Sequence, residues 1–301
     1  MPLPNFFIIG AAKAGTSSLY MYLKQHPQIF MSPIKEPHFF SYDSESKHTR
    51  GPGDPIHKAI TELNDYQALF SGVTSETMIG EASTSYLYRP EAPGRIHAMV
   101  PQARLIAVLR NPVERAFSAY MHVVRDQRET AGSFAAALAL EDERRAMGWE
   151  PIWHFTRVGR YHEQLSRYFA LFDPGQIKIV LYEDLIQNQT GFLRDIFTFL
   201  QVDPDFNPVS VARFNVSGEQ KSTAIYRLTR WLFLQPNPIR WLSRRVVPEI
   251  WRGNVASWIR QRNLRRSAMP AEVRAGLVEL FRDEVLQLQD LIHRDLSSWL
   301  V

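Results

Sequence analysis

The sequence of 301 residues predicts an α/β fold, a parallel sheet flanked by helices, followed by a basic helical extension toward the C-terminus. Three observations carry this reading. The short runs at 6–10 and 177–181 read as strands, and 105–109 is apolar without interruption, as expected of a strand covered on both faces. Segments with helical spacing separate them to about residue 200, and strands alternating with helices make a parallel sheet. Charge is the third. Of 35 basic and 31 acidic residues, eleven and one fall between Lys221 and Arg266, which leaves 24 basic against 30 acidic elsewhere. The high isoelectric point therefore belongs to one segment.

Composition sets the outer bounds. With 45% hydrophobic and 12% aromatic residues the chain can bury a large core. The absence of cysteine excludes disulfides, thiol catalysis and cysteine-ligated metal. No basic segment precedes the first apolar run, and no uninterrupted apolar stretch is long enough to span a bilayer. A soluble, cytoplasmic protein is the expectation.

The first strand, Phe6 to Gly10, stops at a glycine and leads through Ala11-Ala12-Lys13-Ala14-Gly15 into Thr16-Ser17-Ser18, where a helix begins. Gly10 and Gly15 permit unusual backbone angles, and amides at a helix start point into the preceding turn. The result is a phosphate-sized anion cradle, P-loop-like in the spacing of its glycines. A P-loop places lysine directly after the second glycine; Thr16 stands there, and the lysine lies inside the loop as Lys13. A tight strand-to-helix connection is the plain alternative.

The helix runs over 17–25 and ends before Pro27, and 29–31 reads as a second short strand. Next comes Ser32-Pro-Ile-Lys35-Glu36-Pro37-His38-Phe39-Phe40, where two prolines keep the backbone extended. Glu36 and His38 are the residues there able to accept a proton. Residues 42–65 are polar and read as a surface excursion. Another strand leads from Met78 through Gly80-Glu81-Ala82 into the hydroxyl-rich Ser83-Thr84-Ser85, which reads as turn chemistry.

In Arg104-Leu-Ile-Ala-Val-Leu109-Arg110-Asn111-Pro112, a buried strand meets a helix capped by Asn111 with proline at its first position. Arg110 then lies at the strand's C-terminal end, and Ser118 follows two helical turns on. Ligands of open α/β sheets bind outside the strand C-termini, so this pair and the first loop share one edge. Two anion sites there imply a ligand with two separated anionic groups.

Residues 132–145 read as an alanine-rich helix. Arg160-Tyr161 opens an amphipathic helix, 177–181 is a strand, and 192–200 a helix. The stretch Ser217-Gly218-Glu-Gln-Lys221-Ser222 breaks the pattern, as a hinge or as a turn that closes over a ligand. Beyond it, Trp231, Trp241, Trp251 and Trp258 stand among arginines. That mixture suits a peripheral membrane contact, a lid, an oligomer contact, or an ordinary helical pair; nucleic acid is not expected, since no binding module accompanies the charge. After Pro270, Val273, Leu277, Leu280, Phe281, Val285, Leu288, Leu291 and Ile292 form the stripe of a long helix that packs back on the core.

Lys13-Ala-Gly-Thr-Ser, Lys35-Glu-Pro-His-Phe-Phe and Leu109-Arg-Asn-Pro-Val-Glu-Arg-Ala-Phe-Ser118 resemble the motif set of sulfotransferases that use 3'-phosphoadenosine 5'-phosphosulfate (PAPS), most closely the heparan sulfate branch. The resemblance runs in order from Phe6 to about Ser222. It implies a single sulfotransferase domain over 1–301: a nucleotide-binding α/β core at 1–222, the basic Trp-rich helical segment at 223–269, and a C-terminal helix at 270–301. By the same resemblance Lys13 stabilises the departing nucleotide while Ala14, Gly15, Thr16, Ser17 and Ser18 cradle the 5' end. Arg110 and Ser118 hold the 3'-phosphate, and Glu36 is the general base with His38 as its competitor. Tyr161, Ser217, Gly218 and Lys221 correspond to nucleotide-covering elements. PAPS is then the donor and adenosine 3',5'-bisphosphate (PAP) the product, with no metal required. The acceptor, a saccharide, lipid, peptide or small metabolite, stays open. In the heparan-type enzymes a lysine follows the glutamate of the turn at 80–82, whereas Ala82 occupies that place here, so Lys35 or Arg115 is left to supply the cation. A P-loop-type nucleotide kinase and a non-catalytic nucleotide- or membrane-binding module are the other readings.

Overall fold

The structure, a computed structural model, describes residues 2–43, 51–52, 59–209, 219–220, 264–265 and 268–301. Its centre is a five-stranded sheet of β1 (Phe6–Gly10), β2 (Ile29–Met31), β3 (Met78–Ala82), β4 (Arg104–Leu109) and β5 (Ile177–Leu181), in the order β2-β3-β1-β4-β5. Every pairing is parallel. The strands are mostly apolar, as a sheet with helices on its faces requires, with Glu81 in β3 and Lys178 in β5 as charged positions. The chain moves from β1 outward to one side and then returns to place β4 on the other, so the topological switch lies between β1 and β4. Phe6 pairs with Gly80, and a side chain at Gly80 would fall 2.1 Å from the Phe6 ring; the glycine is what lets these strands meet.

Helices α1 (Thr16–Leu23), α2 (Leu63–Ala68), α3 (Ser85–Tyr88) and α4 (Ala92–Met99) serve the first half of the sheet. Then α5 (Pro112–Arg125) starts where sequence places it: Asn111 Oδ1 accepts from the amides of Val113 at 2.9 Å and Glu114 at 3.3 Å, with Pro112 at the first position. Residues 132–145 do not form one helix. Leu140 divides them into α6 (Phe134–Ala139) and α7 (Glu141–Ala146). The break turns Glu141 inward, where its carboxylate accepts the amides of Thr156 and Arg157. Further on come α8 (Tyr161–Phe169), α9 (Tyr182–Gln187), α10 (Gln189–Leu200) and α11 (Ala271–Ile292).

Along α11, Leu277, Val278, Phe281, Val285 and Leu288 are buried against α5 and α8. Leu280 is half exposed and faces away, since the predicted stripe was one position too wide. Tyr42 also departs from its reading as part of a surface excursion. It is buried, with the Arg89 guanidinium 4.6 Å over its ring and donating to its hydroxyl at 3.1 Å. Residues 219–220 and 264–265 form a short antiparallel pair; residues 221–263, with the four tryptophans, lie outside the described residues. Among those described, no helix is long and apolar enough to cross a membrane.

Candidate active site

The loop between β1 and α1 and the end of β4 meet at the switch point. Gly15 has φ 92°, and a side chain there would come within 2.7 Å of the Tyr182 ring, so both the backbone and the neighbour demand glycine. It caps α1 without a side-chain hydrogen bond. The first amides of the helix therefore have no side-chain cap, the arrangement that suits an anion. Lys13 also adopts a left-handed conformation, φ 71°, which turns its side chain toward α5.

There Lys13 Nζ lies 3.1 Å from His122 Nδ1, and Arg125 Nη2 approaches the same nitrogen at 2.9 Å. Two cationic donors on one nitrogen require that it be unprotonated. The ring proton then sits on Nε2, 3.5 Å from Asp126 Oδ2. Burial, with Lys13 and Arg125 beside it, pushes His122 down to about 3. Burial also pulls Lys13 down to about 7, aided by the charges of Arg125 and Arg110 and opposed by those of Asp126 and Glu36.

Arg110 follows β4. It donates to the Lys13 carbonyl at 3.2 Å, lies 5.1 Å over the Tyr182 ring and is 3.9 Å from Glu114. One guanidinium thus joins the loop to the strand end. Ser118, two turns along α5, is nearly buried.

Glu36 reaches the same region from the loop after β2. Its amide donates to the Ala82 carbonyl at 2.8 Å. On its carboxylate, Oε1 accepts from Lys35 Nζ at 2.5 Å and Thr84 Oγ1 at 3.2 Å, while His38 Nε2 is 3.6 Å from Oε2. Burial alone would raise this carboxyl. The Lys35 and His38 charges and the Lys35 and Thr84 hydrogen bonds outweigh it and bring it to about 2. His38 Nδ1 lies 2.7 Å from Ser85 Oγ, and burial lowers its proton affinity despite Glu36.

Lys13, Gly15, Thr16, Ser17, Ser18, Glu36, Arg110 and Ser118 line one cleft of about 490 Å³. Three predicted residues stand behind its wall. Ala14 is fully buried, with its amide bonded to the Ala11 carbonyl. His38 backs Glu36, and Tyr161 is buried with its hydroxyl donating to the Arg110 carbonyl at 3.0 Å. Ser217, Gly218 and Lys221 fall outside the described residues. Thr84, His122, Tyr182 and Gln189 line the cleft without having been singled out. Only for His122 was there a usable signal, its spacing of one helical turn from Ser118. As for the cation missing at Ala82, Arg115 is buried and donates to the Phe155 carbonyl, whereas Lys35 sits directly on Glu36.

The structure is thus a parallel α/β sheet with a P-loop-like turn, and Lys13 and Arg110 line one cleft at its switch point. The model of the sulfotransferase family matches residues 4–207, and the chain belongs to that family. A sulfotransferase from Alicyclobacillus acidocaldarius superposes with a TM-score of 0.78 at 36% identity, over 99% of both chains. The mouse bifunctional heparan sulfate N-deacetylase/N-sulfotransferase 4 is 27% identical over 99% of this chain and 31% of its own length. Mouse heparan sulfate glucosamine 3-O-sulfotransferase 3B1 is 31% identical over 66% of this chain and 46% of its own. The chain therefore spans less than half of either of these two curated relatives.

Proposed function

We propose that the chain transfers a sulfuryl group from PAPS to an acceptor hydroxyl or amine, with Glu36 as general base and Lys13 stabilising the leaving nucleotide. The observation that carries this is the convergence of Glu36, Lys13, the start of α1, Arg110 and Ser118 on one cleft. In this reading the amides of Thr16 and Ser17, with the side chain of Ser18, receive the 5' phosphosulfate, and Arg110 with Ser118 receives the 3'-phosphate. The acceptor oxygen or nitrogen forms a bond to sulfur as the bridging S–O bond breaks. Its proton passes to Glu36, and PAP leaves with its new charge facing Lys13. Charge spreads over the peripheral oxygens, so positioning and prearranged donors supply most of the rate.

A carboxylate held near 2 is a weak base. It suffices because the acceptor proton becomes strongly acidic once sulfur bonds to its oxygen, and Glu36 stays ionised at every working pH. His38, low in proton affinity and behind Glu36, orients it. The similarity to heparan sulfate sulfotransferases makes glucosamine-bearing polysaccharides the first acceptors to screen.

PAP should raise the melting temperature at saturating concentration, and ATP with magnesium should not; no shift with PAP overturns the nucleotide assignment. Glu36→Gln should keep the PAP shift and lose transfer by about 10²–10⁴-fold. Equal turnover by that variant moves the role to His38.

A further inference from the structure

Glu81 lies at the C-terminal end of β3, fully buried, and lines no part of the cleft. Among the described residues its hydrogen-bond partners are hydroxyls: Oε1 accepts from Tyr66 at 3.0 Å and Tyr86 at 2.5 Å, and Oε2 from Ser83 at 3.1 Å. A buried carboxylate without a cation on it is costly, which asks what it does.

The loop carrying Glu36 supplies an answer. Glu36 and His38 both adopt left-handed conformations, φ 63° and 59°, that non-glycine residues keep only when their surroundings enforce it. Three amides of this loop are anchored on the end of β3 and the start of α3. Glu36 N–H donates to the Ala82 carbonyl, His38 N–H to Ser83 Oγ at 3.1 Å, and Phe40 N–H to the Tyr86 hydroxyl at 3.4 Å. Ser83 and Tyr86 are two of the hydroxyls that donate to Glu81. An ionised carboxylate only accepts, so it draws both hydroxyl protons to itself and turns both oxygens, as acceptors, toward the loop amides.

We propose that Glu81 is the positioning residue for Glu36, acting through Ser83 and Tyr86 to hold the 36–40 loop in its left-handed course. The proposal rests on Glu36 being the base. Replacement by glutamine keeps the shape but puts a donor where an acceptor stood, so Ser83 or Tyr86 must turn its proton elsewhere. Burial also raises Glu81 to about 7, against the opposing hydrogen bonds of Tyr86, Tyr66 and Ser83. The titratable groups facing it are Tyr66 of α2, Tyr86 of α3 and Glu36 of the loop; its β1 partner is Phe7. Protonation in mildly acid solution should therefore imitate the glutamine.

The test is amide hydrogen exchange on wild-type and Glu81→Gln protein, with PAP melting shifts as control. Expected is at least tenfold faster exchange confined to 36–40, with β1 and β4 unchanged and the PAP shift retained. Wild-type protection of the loop, corrected for intrinsic exchange, should fall as pH drops through 7, and that dependence should vanish in the variant. On a heparan-type polysaccharide with free glucosamine amines, kcat should drop about tenfold or more with KM for PAPS unchanged. Should Glu81→Gln not fold, Ser83→Ala and Tyr86→Phe each remove one anchor and should speed exchange of the amide it holds. Wild-type loop protection in folded variants, or loss of the PAP shift, overturns the proposal. Full turnover by Glu36→Gln instead overturns the base assignment and leaves the exchange result standing.

Discussion

Lys13 offers the most quantitative check on the cleft, because the same burial that makes it useful makes it titrate near neutrality. In the free protein it loses its proton at about 7 rather than 10.5. A phosphosulfate or the 5'-phosphate of PAP beside it favours the charged form, so binding takes up a proton once the pH exceeds 7. Affinity for PAP should weaken by about tenfold for each pH unit between 7.5 and 9, as far as the raised pKa of the complex allows. Calorimetry in two buffers of different ionisation enthalpy reads both the affinity and the proton uptake. Lys13→Met should bind PAP weakly and with a flat pH dependence over that window. The folding side has the opposite sign. Because the unfolded chain holds the Lys13 proton up to 10.5 and the folded chain only to about 7, stability from this group rises with pH between those values. A shift of this size corresponds to about 4 kcal/mol at pH 7, an upper figure from which the lost His122 hydrogen bond subtracts about 1 kcal/mol. Lys13→Met should therefore melt several degrees higher at pH 7. A flat PAP affinity from pH 7.5 to 9 in the wild type, or a variant that melts lower, refutes the reasoning.

Arg110→Lys loses the planar fork and should weaken PAP about 10–100-fold while leaving adenosine 5'-phosphate, which lacks the 3' group, nearly unchanged in competition binding. Gly15→Ala meets both the φ of 92° and the Tyr182 ring at 2.7 Å, so it should lower stability by about 1–3 kcal/mol in denaturant titration and abolish the PAP shift. Phe281→Ala, buried beneath α11 against α5 and α8, should lower stability by about 3–5 kcal/mol.

The strand at 105–109 was legible because it is apolar without interruption, as a two-sided sheet requires, and because a capped helix start follows it directly. Asn111-Pro112 marked the start of α5 for a local reason, a cap and a fixed φ. The loop at 13–18 and the pair Arg110 and Ser118 were legible as parts of one edge. Depth was not legible. Nothing in Ala14 or Tyr161 reveals that one lies under the loop and the other behind the Arg110 carbonyl, since depth depends on which elements pack over a segment. The partner of Lys13 was hidden for a related reason: His122, itself held by Arg125, reaches it across more than a hundred residues of chain, from a helix face that Ser118 shares. The split at Leu140 escaped because Glu141 turns inward for amides that occur fifteen residues later.

Tyr161, which supports the Arg110 carbonyl, packs edge-on against Trp299, and Asn111 Nδ2 donates to the Trp299 carbonyl at 3.3 Å, a partner 188 residues away in sequence. During synthesis at ordinary rates, roughly 10–40 s separate the emergence of these two partners. The corner that presents Arg110 thus remains unfinished until the turn Ser297–Leu300, with Trp299, has emerged. A nascent chain can therefore hold the paired strands well before it holds the corner around Arg110, so the sheet and that corner are separate events in the order of folding.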